Sequence, residues 1–318
     1  MLRRILILLS VVVCALGASA PAMAATPAAS SAPSGQGLEI SPPLIDKKVD
    51  PGQTLTVEIK VRNVTRSTLV TTGSVEDFVA QGEEGQAKLL IGQDVEPSPY
   101  TIRAWVTDIP SLTLAAGEQK VARVAITVPS NAGPGGHYGV IRFSGRPPEL
   151  EGTGVSLSAS IGTLVLLNVS GKQVVKASIA ELYAAQNGKK NNFFQQGPIT
   201  ISERIKNEGN VHFKPTGTVR VTNTFGKEIA VLSINPKGGN VLPQSIRKFE
   251  QTLNKKNLFG RYTGTVDIQY AGQTLNGSFS FWVLPLKAIG LVLGVIAILV
   301  IFLRLNNRQV AKRALKKK

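Results

Sequence analysis

Residues 54–63, Thr-Leu-Thr-Val-Glu-Ile-Lys-Val-Arg-Asn, set Leu55, Val57, Ile59 and Val61 at every second position, with Thr56, Glu58 and Lys60 between them. In an extended chain successive side chains point to opposite faces, so this stretch reads as a strand with one apolar and one solvated face. The same period returns at Ala122, Val124, Ile126 and Val128, at Val155, Leu157, Ala159 and Ile161, and at Tyr262, Val266, Ile268 and Tyr270. Val219 and Val221 lead through a Phe225-Gly226-Lys227 turn to Ala230, Leu232 and Ile234, which is the pattern of a hairpin. No segment before residue 281 sustains helical spacing. Many short strands separated by Gly, Pro and Asn turns predict an all-β ectodomain of β-sandwiches.

The pattern is duplicated. Lys60-Val61-Arg62-Asn63 has a counterpart in Arg204-Ile205-Lys206-Asn207, and Gly136-His137-Tyr138 has one in Gly260-Arg261-Tyr262. This predicts two tandem immunoglobulin-like β-sandwiches, the first over residues 37–170 and the second over 171–284. Asn63 and Tyr138 are 75 positions apart and Asn207 and Tyr262 are 55 apart, so the first copy carries about 20 extra residues, placed near 77–108. Extra loop residues on a rigid scaffold are where recognition is commonly added. The insertion holds Tyr100 and Trp105, aromatic side chains suited to stacking on a sugar ring or anchoring a protein. Gly-x-Tyr entering a late strand places Tyr138 and Tyr262 at a tyrosine-corner position, where the hydroxyl bonds back to its own chain.

Residues 1–24 read as a signal peptide. Arg3 and Arg4 precede an apolar run from Ile5 to Leu16, and Ala22-Met23-Ala24 supplies the small residues of a cleavage site. Residues 25–36, rich in Ala, Ser and Pro, read as a flexible linker. Ala288 to Leu303 is a run without charge, so 285–303 is expected to be one transmembrane α-helix. The tail, 304–318, carries Arg304, Arg308, Lys312, Arg313, Lys316, Lys317 and Lys318 and no acid. By the positive-inside rule that tail is cytoplasmic and the sandwiches lie outside, a single-pass type I arrangement at the cell membrane.

Net charge is +16. It is unevenly spread: residues 25–170 hold 11 Lys and Arg against 14 Asp and Glu, whereas residues 171–303 hold 16 against 6. The basic excess therefore sits beside the apolar run and in the tail, which argues for an anionic surface and against nucleic acid as a partner. Two histidines, His137 and His212, and one cysteine, Cys14, leave little material for a metal centre or a nucleophilic triad, and no metal or cofactor is expected. Both histidines fall in Gly-rich turns and read as surface-loop residues. Glu76, Asp77, Glu83, Glu84, Asp94 and Glu96 are the carboxylates from which a glycan hydrolase could be assembled.

Pro51-Gly52-Gln53-Thr54, Leu114-Ala115-Ala116-Gly117-Glu118 and Val128-Pro129-Ser130-Asn131-Ala132-Gly133-Pro134-Gly135-Gly136-His137-Tyr138-Gly139 resemble the peptidoglycan-binding domain of WxL-interacting proteins. Asn207-Glu208-Gly209-Asn210, Gly260-Arg261-Tyr262 and Phe281-Trp282-Val283-Leu284-Pro285 are similar to the second domain of that family. The resemblance implies a non-enzymatic, membrane-anchored surface protein that binds cell-wall glycan, peptidoglycan or a wall-associated protein. Tyr100, Trp105, His137 and Tyr138 are the candidate binding residues. Two alternatives stand beside it: a surface glycan hydrolase using the acids of the insertion, and a sandwich chaperone or subunit of a secreted or membrane complex.

Overall fold

The computed structural model describes residues 37–92, 98–147 and 159–315. The expected signal peptide and linker fall outside the described residues, as do Asp94 and Glu96 of the insertion.

Residues 54–63 form β3 (Thr54–Asn63). It lies between β1 (Leu38–Ser41) and β7 (Gln119–Thr127) in a three-stranded antiparallel sheet. Facing it is a larger sheet of β2 (Leu44–Val49), β9 (Ala159–Val169), β8 (Gly135–Arg146), β4 (Leu69–Gln81) and β5 (Gln86–Leu90), in that order, with β6 (Leu112–Leu114) also on β4. Val57, Ile59 and Val61 interdigitate with Val124, Ile126, Ile141, Phe143, Val165 and Leu167 between the two sheets, all buried. The alternation read from sequence is thus the inward face of the sandwich.

Pro42 and Pro43 divide the first strand. Neither can donate to a ladder, so the chain leaves the small sheet after Ser41 and enters the large one at Leu44. There β2 runs parallel to β9, Leu44 opposite Leu164 and Val49 opposite Val169.

The second half repeats the plan. One sheet orders β11 (Lys189–Lys190), β10 (Ala177–Gln186), β13 (Ile199–Asn207) and β16 (Ile246–Leu253). The other orders β12 (Phe193–Phe194), β18 (Gln273–Val283), β17 (Gly260–Tyr270), β14 (Thr216–Asn223) and β15 (Glu228–Ile234). Ile199, Ile201, Ile205, Val219, Val221, Val266, Ile268 and Phe281 fill the space between them. The duplicated motif is a pair of staples. Asn63 and Asn207 are both fully buried at the ends of β3 and β13. The Asn63 amide donates to Leu114 O and Ala115 O, and the Asn207 amide donates to Val211 O and Val241 O.

A single helix, α1 (Leu286–Leu315), follows β18. It runs past Leu303, so the expected boundary between helix and tail moves to Leu315: residues 304–315 contain good helix formers and neither Gly nor Pro to stop them. Its described apolar side chains from Leu291 to Leu305 stand 44–69% exposed. Among the residues whose side chains are described, which omit Ala288 and residues 306–315 of α1, no helix is long and apolar enough to cross a membrane.

Candidate functional site

The two sandwiches meet where β8 begins. Gly136 N donates to Asn210 O at 2.8 Å and the Asn210 side chain donates to Pro134 O at 3.0 Å. Gly135, at φ +126°, permits this approach: a Cβ there would lie 2.7 Å from Asn210 O.

Just beyond, Tyr138 points out of the large sheet into the junction. Its hydroxyl lies 3.2 Å from His212 Nδ1 and accepts the His212 backbone N–H at 3.1 Å. His212 Nε2 lies 3.1 Å from Asp46 Oδ1, and Lys214 Nζ lies 2.8 Å from Asp46 Oδ2. A carboxylate only accepts, so Nε2 carries the proton and Nδ1 accepts from the phenol. Burial pushes the Tyr138 phenol up. It pushes His212 down despite Asp46, which keeps the imidazole neutral. Burial also acts to raise Asp46, but hydrogen bonds from Lys214 and His212 outweigh it and hold the carboxyl low. This relay ends in a buried phenol and exposes no nucleophile; it fixes the angle between the sandwiches.

The second tie comes from the insertion. β4 runs on past Asp77 and turns back through Gly82–Gly85 into β5, and the tip of this hairpin reaches the second sandwich. Both Glu83 oxygens take Arg204, whose Nε donates at 2.7 Å, and Lys248 N donates to Glu83 O at 2.8 Å. The Arg204 guanidinium holds the Glu83 carboxyl below its usual range. Lys248 Nζ also lies 3.5 Å from Glu84.

Between these ties lies a cavity of about 230 Å³. Leu44, Phe78, Leu164 and Leu166 form its apolar floor, and Lys237–Asn240, Leu242 and Arg247 form the opposite wall. Arg247 donates to Asn240 O at 2.7 Å and lies over Phe249, 5.6 Å from the ring centre. Its guanidinium is packed against Gly85, where a Cβ would lie 2.2 Å away. The floor continues outward along β9. Leu164 N donates to Pro43 O at 3.0 Å, so the even-numbered residues of β9 turn their backbone groups toward the outer edge. β2 covers that edge only from Leu164 to Val169. Among the described residues, no strand is hydrogen-bonded to the outer edge at Ser160 and Gly162.

The candidate residues are brought to the same end of the first sandwich, in different roles. Trp105 is in the core, its ring centre 4.5 Å from that of His137. His137 Nε2 is 2.9 Å from Gly133 O, a turn contact. Tyr100 is half-buried against Tyr138, with ring centres 5.9 Å apart. Tyr262 bonds back to Phe259, three residues earlier, as a tyrosine corner should. Tyr138 does not; the expected corner is corrected to a bond across the junction, because β8 ends its inward turn against His212 rather than against its own loop. His212 is likewise buried, not on a surface loop. The acids of a hydrolase pair are otherwise engaged. Glu76 is bonded to Arg142 and Ser74, Asp77 accepts from Ser98 N and Thr101 Oγ1, and Glu83 and Glu84 form the interdomain tie.

No family model and no curated relative matches the chain. It is similar to solved structures of pilus chaperones. One is the class 5 fimbriae chaperone CfaA, at 16% identity and TM-score 0.36, covering 76% of this chain and 98% of that one. Another is the E. coli chaperone DraB, at 15% identity and TM-score 0.33, covering 77% and 96%. A third is from a complex of the Salmonella enterica SafA pilin with the SafB chaperone, at 16% identity and TM-score 0.32, covering 76% and 95%. At these values the likeness carries neither a role nor a ligand, and the all-β sandwich architecture rests on the strands of this chain itself. None of the matches bears on the resemblance to WxL-interacting proteins. The expectation of a cell-wall glycan binder is corrected to the extent that no comparison supports it: these three solved structures are of pilus chaperones, and none is a glycan-binding protein.

Proposed function

We propose that the chain is a non-enzymatic, membrane-anchored protein whose first sandwich holds a protein partner, by taking an extended segment of that partner as an added strand on the outer edge of β9. The half-covered edge of β9 carries this reading. An exposed row of backbone donors and acceptors is a template for another chain, and main-chain hydrogen bonds supply affinity while side-chain pockets supply choice. Here the row at Ser160 and Gly162 ends against Leu44 and Leu164, on the floor of the cavity between the sandwiches. An added strand would therefore direct an apolar side chain of the partner into that cavity. Among the described residues, the same prolines that carry β1 off to the small sheet leave this part of the edge without a partner strand.

The anchor is α1. Its described apolar side chains from Leu291 to Leu305 are exposed, as suits a lipid rather than a protein neighbour, and on this reading the cations that follow keep its far end in the cytoplasm.

The test is photo-crosslinking from position 44, on the cavity floor beside this edge, in the cells that make the protein. A Ser160→Pro substitution removes an outward N–H without removing a bond to β8. It should abolish a crosslinked protein adduct that Ser160→Ala retains, with unchanged circular dichroism. Adducts undiminished in Ser160→Pro would overturn strand addition, and adducts to wall polymer alone would overturn a protein partner.

A further inference from the structure

The end of the second sandwich next to α1 gathers its exposed aromatic side chains. Phe193 is 60% exposed, Phe225 92%, Phe259 67% and Trp282 40%, and among the described residues of the two sandwiches these are the exposed aromatics. They come from four separate segments that converge there. Phe193 pairs with Trp282 in the parallel ladder of β12 and β18, and Leu284 N donates to Phe194 O at 2.8 Å just before α1 starts. Gly197 N reaches Lys256 O at 3.3 Å, which ties the Phe259 loop to the β12 segment. Thr224 Oγ1 donates to Arg261 O at 3.1 Å, which ties the β14–β15 turn to the start of β17. In that turn Asn223 Oδ1 accepts from Phe225 N and Lys227 N, so Phe225 is held at the tip of a built loop.

Cations surround these rings: Lys189, Lys227, Lys255, Lys256, Arg261 and Lys287 are all exposed. The segments 187–198, 254–262 and 282–303 contain no acid. Acids close to these segments along the chain are engaged: Glu181 is bound by Lys190 with Arg204, Glu228 by Arg220 and Glu250 by Lys248. Exposed Phe and Trp flanked by Lys is the composition of a surface that rests at the headgroup level of a bilayer. A protein partner would ask for a complementary apolar patch, whereas here the apolar groups are separate tips among cations.

We infer that this end of the second sandwich is a docking face for an anionic bilayer surface: Phe193, Phe225, Phe259 and Trp282 enter the headgroup layer, and the surrounding lysines contact lipid phosphates. The face rests on the reading of α1 as the anchor, since α1 begins four residues after Trp282. Its consequence is that the two sandwiches stand at a fixed angle on the membrane instead of swinging on a tether.

The test uses the full chain in vesicles of phosphatidylcholine with or without phosphatidylglycerol, with bromine on the lipid acyl chains near the headgroup as quencher. In a Trp282→Phe background, Phe225→Trp places a reporter on the face, and Trp105, buried in the first sandwich, is the internal reference. Quenching of the Phe225→Trp reporter is expected in the anionic vesicles, with loss of most of it at high salt or in neutral vesicles, because screening weakens surface charges. A Val121→Trp reporter on β7 should stay unquenched. Quenching no greater than that of Trp105 would overturn the docking face. If alkaline carbonate strips the chain from the vesicles, the anchor reading fails; quenching that persists at neutral pH would still support the face, and its absence would overturn both.

Discussion

Glu203 sits where an isoleucine would be expected. β13 turns Ile199, Ile201, Glu203, Ile205 and Asn207 inward in turn, and Glu203 is fully buried with no hydrogen-bond partner on either carboxyl oxygen. Burial pushes its carboxyl up to about 8. The folded chain therefore holds a proton that the unfolded chain releases near the ordinary value of 4.5. Between those values the native state binds more protons, so stability falls as pH rises and levels off above about 8. At about 1.4 kcal/mol per pKa unit the loss is several kcal/mol. Glu203→Gln mimics the protonated acid and should raise the melting temperature above pH 8, with the difference vanishing toward pH 4; equal melting curves at pH 9 would refute the buried acid. The phase of β13 was visible in the sequence around Arg204-Ile205-Lys206-Asn207, but an acid in an inward position reads as an ordinary strand charge until the opposing sheet is in place. The partners of His212 were equally hidden, since Tyr138 is 74 residues away and Asp46 is 166.

At the scale of elements, period-two spacing located β3, β7, β14, β15 and β17 because each has one buried and one solvated face. It did less well on β4, whose later residues leave the core and enter the junction. The insertion was legible as a length difference between the copies, yet its hairpin form and its contact with Arg204 depend on a distant surface. The repeated Asn63 and Asn207 were legible as a motif but not as staples. Each closes a turn by satisfying backbone carbonyls, buried at Leu114, Val211 and Val241 and part-buried at Ala115. Asn63→Ala and Asn207→Ala should each lower unfolding free energy by about 3 kcal/mol, since a buried group left without its partner costs about 1–3 kcal/mol. Urea denaturation checks this, and a loss well under 1 kcal/mol for either would show that the turn closes without its staple. Both signals for α1, an uncharged run and a basic end, came from composition alone, whereas its extension to Leu315 depends on helix propensity carried past the apolar residues.

For the whole molecule, the junction decides whether two sandwiches act as one body. The Glu83–Arg204 pair is about 30% exposed, so its direct worth is small, about 1 kcal/mol. Its position matters more: it and the Tyr138–His212–Asp46 relay hold opposite sides of the cavity. Glu83→Ala should leave the melting temperature nearly unchanged while speeding tryptic cleavage at Lys172 or Lys176, in the connection between β9 and β10. Cleavage at the native rate would mean that the relay alone fixes the hinge. The parallel pairing of β2 with β9 has a consequence for how the molecule comes into being. Leu44 must find Leu164, about 120 residues later in the chain, and closing so long a loop comes before any contact rewards it. During synthesis β2 therefore waits for β9 until almost the whole first sandwich has emerged, so its docking comes late in the assembly of that domain.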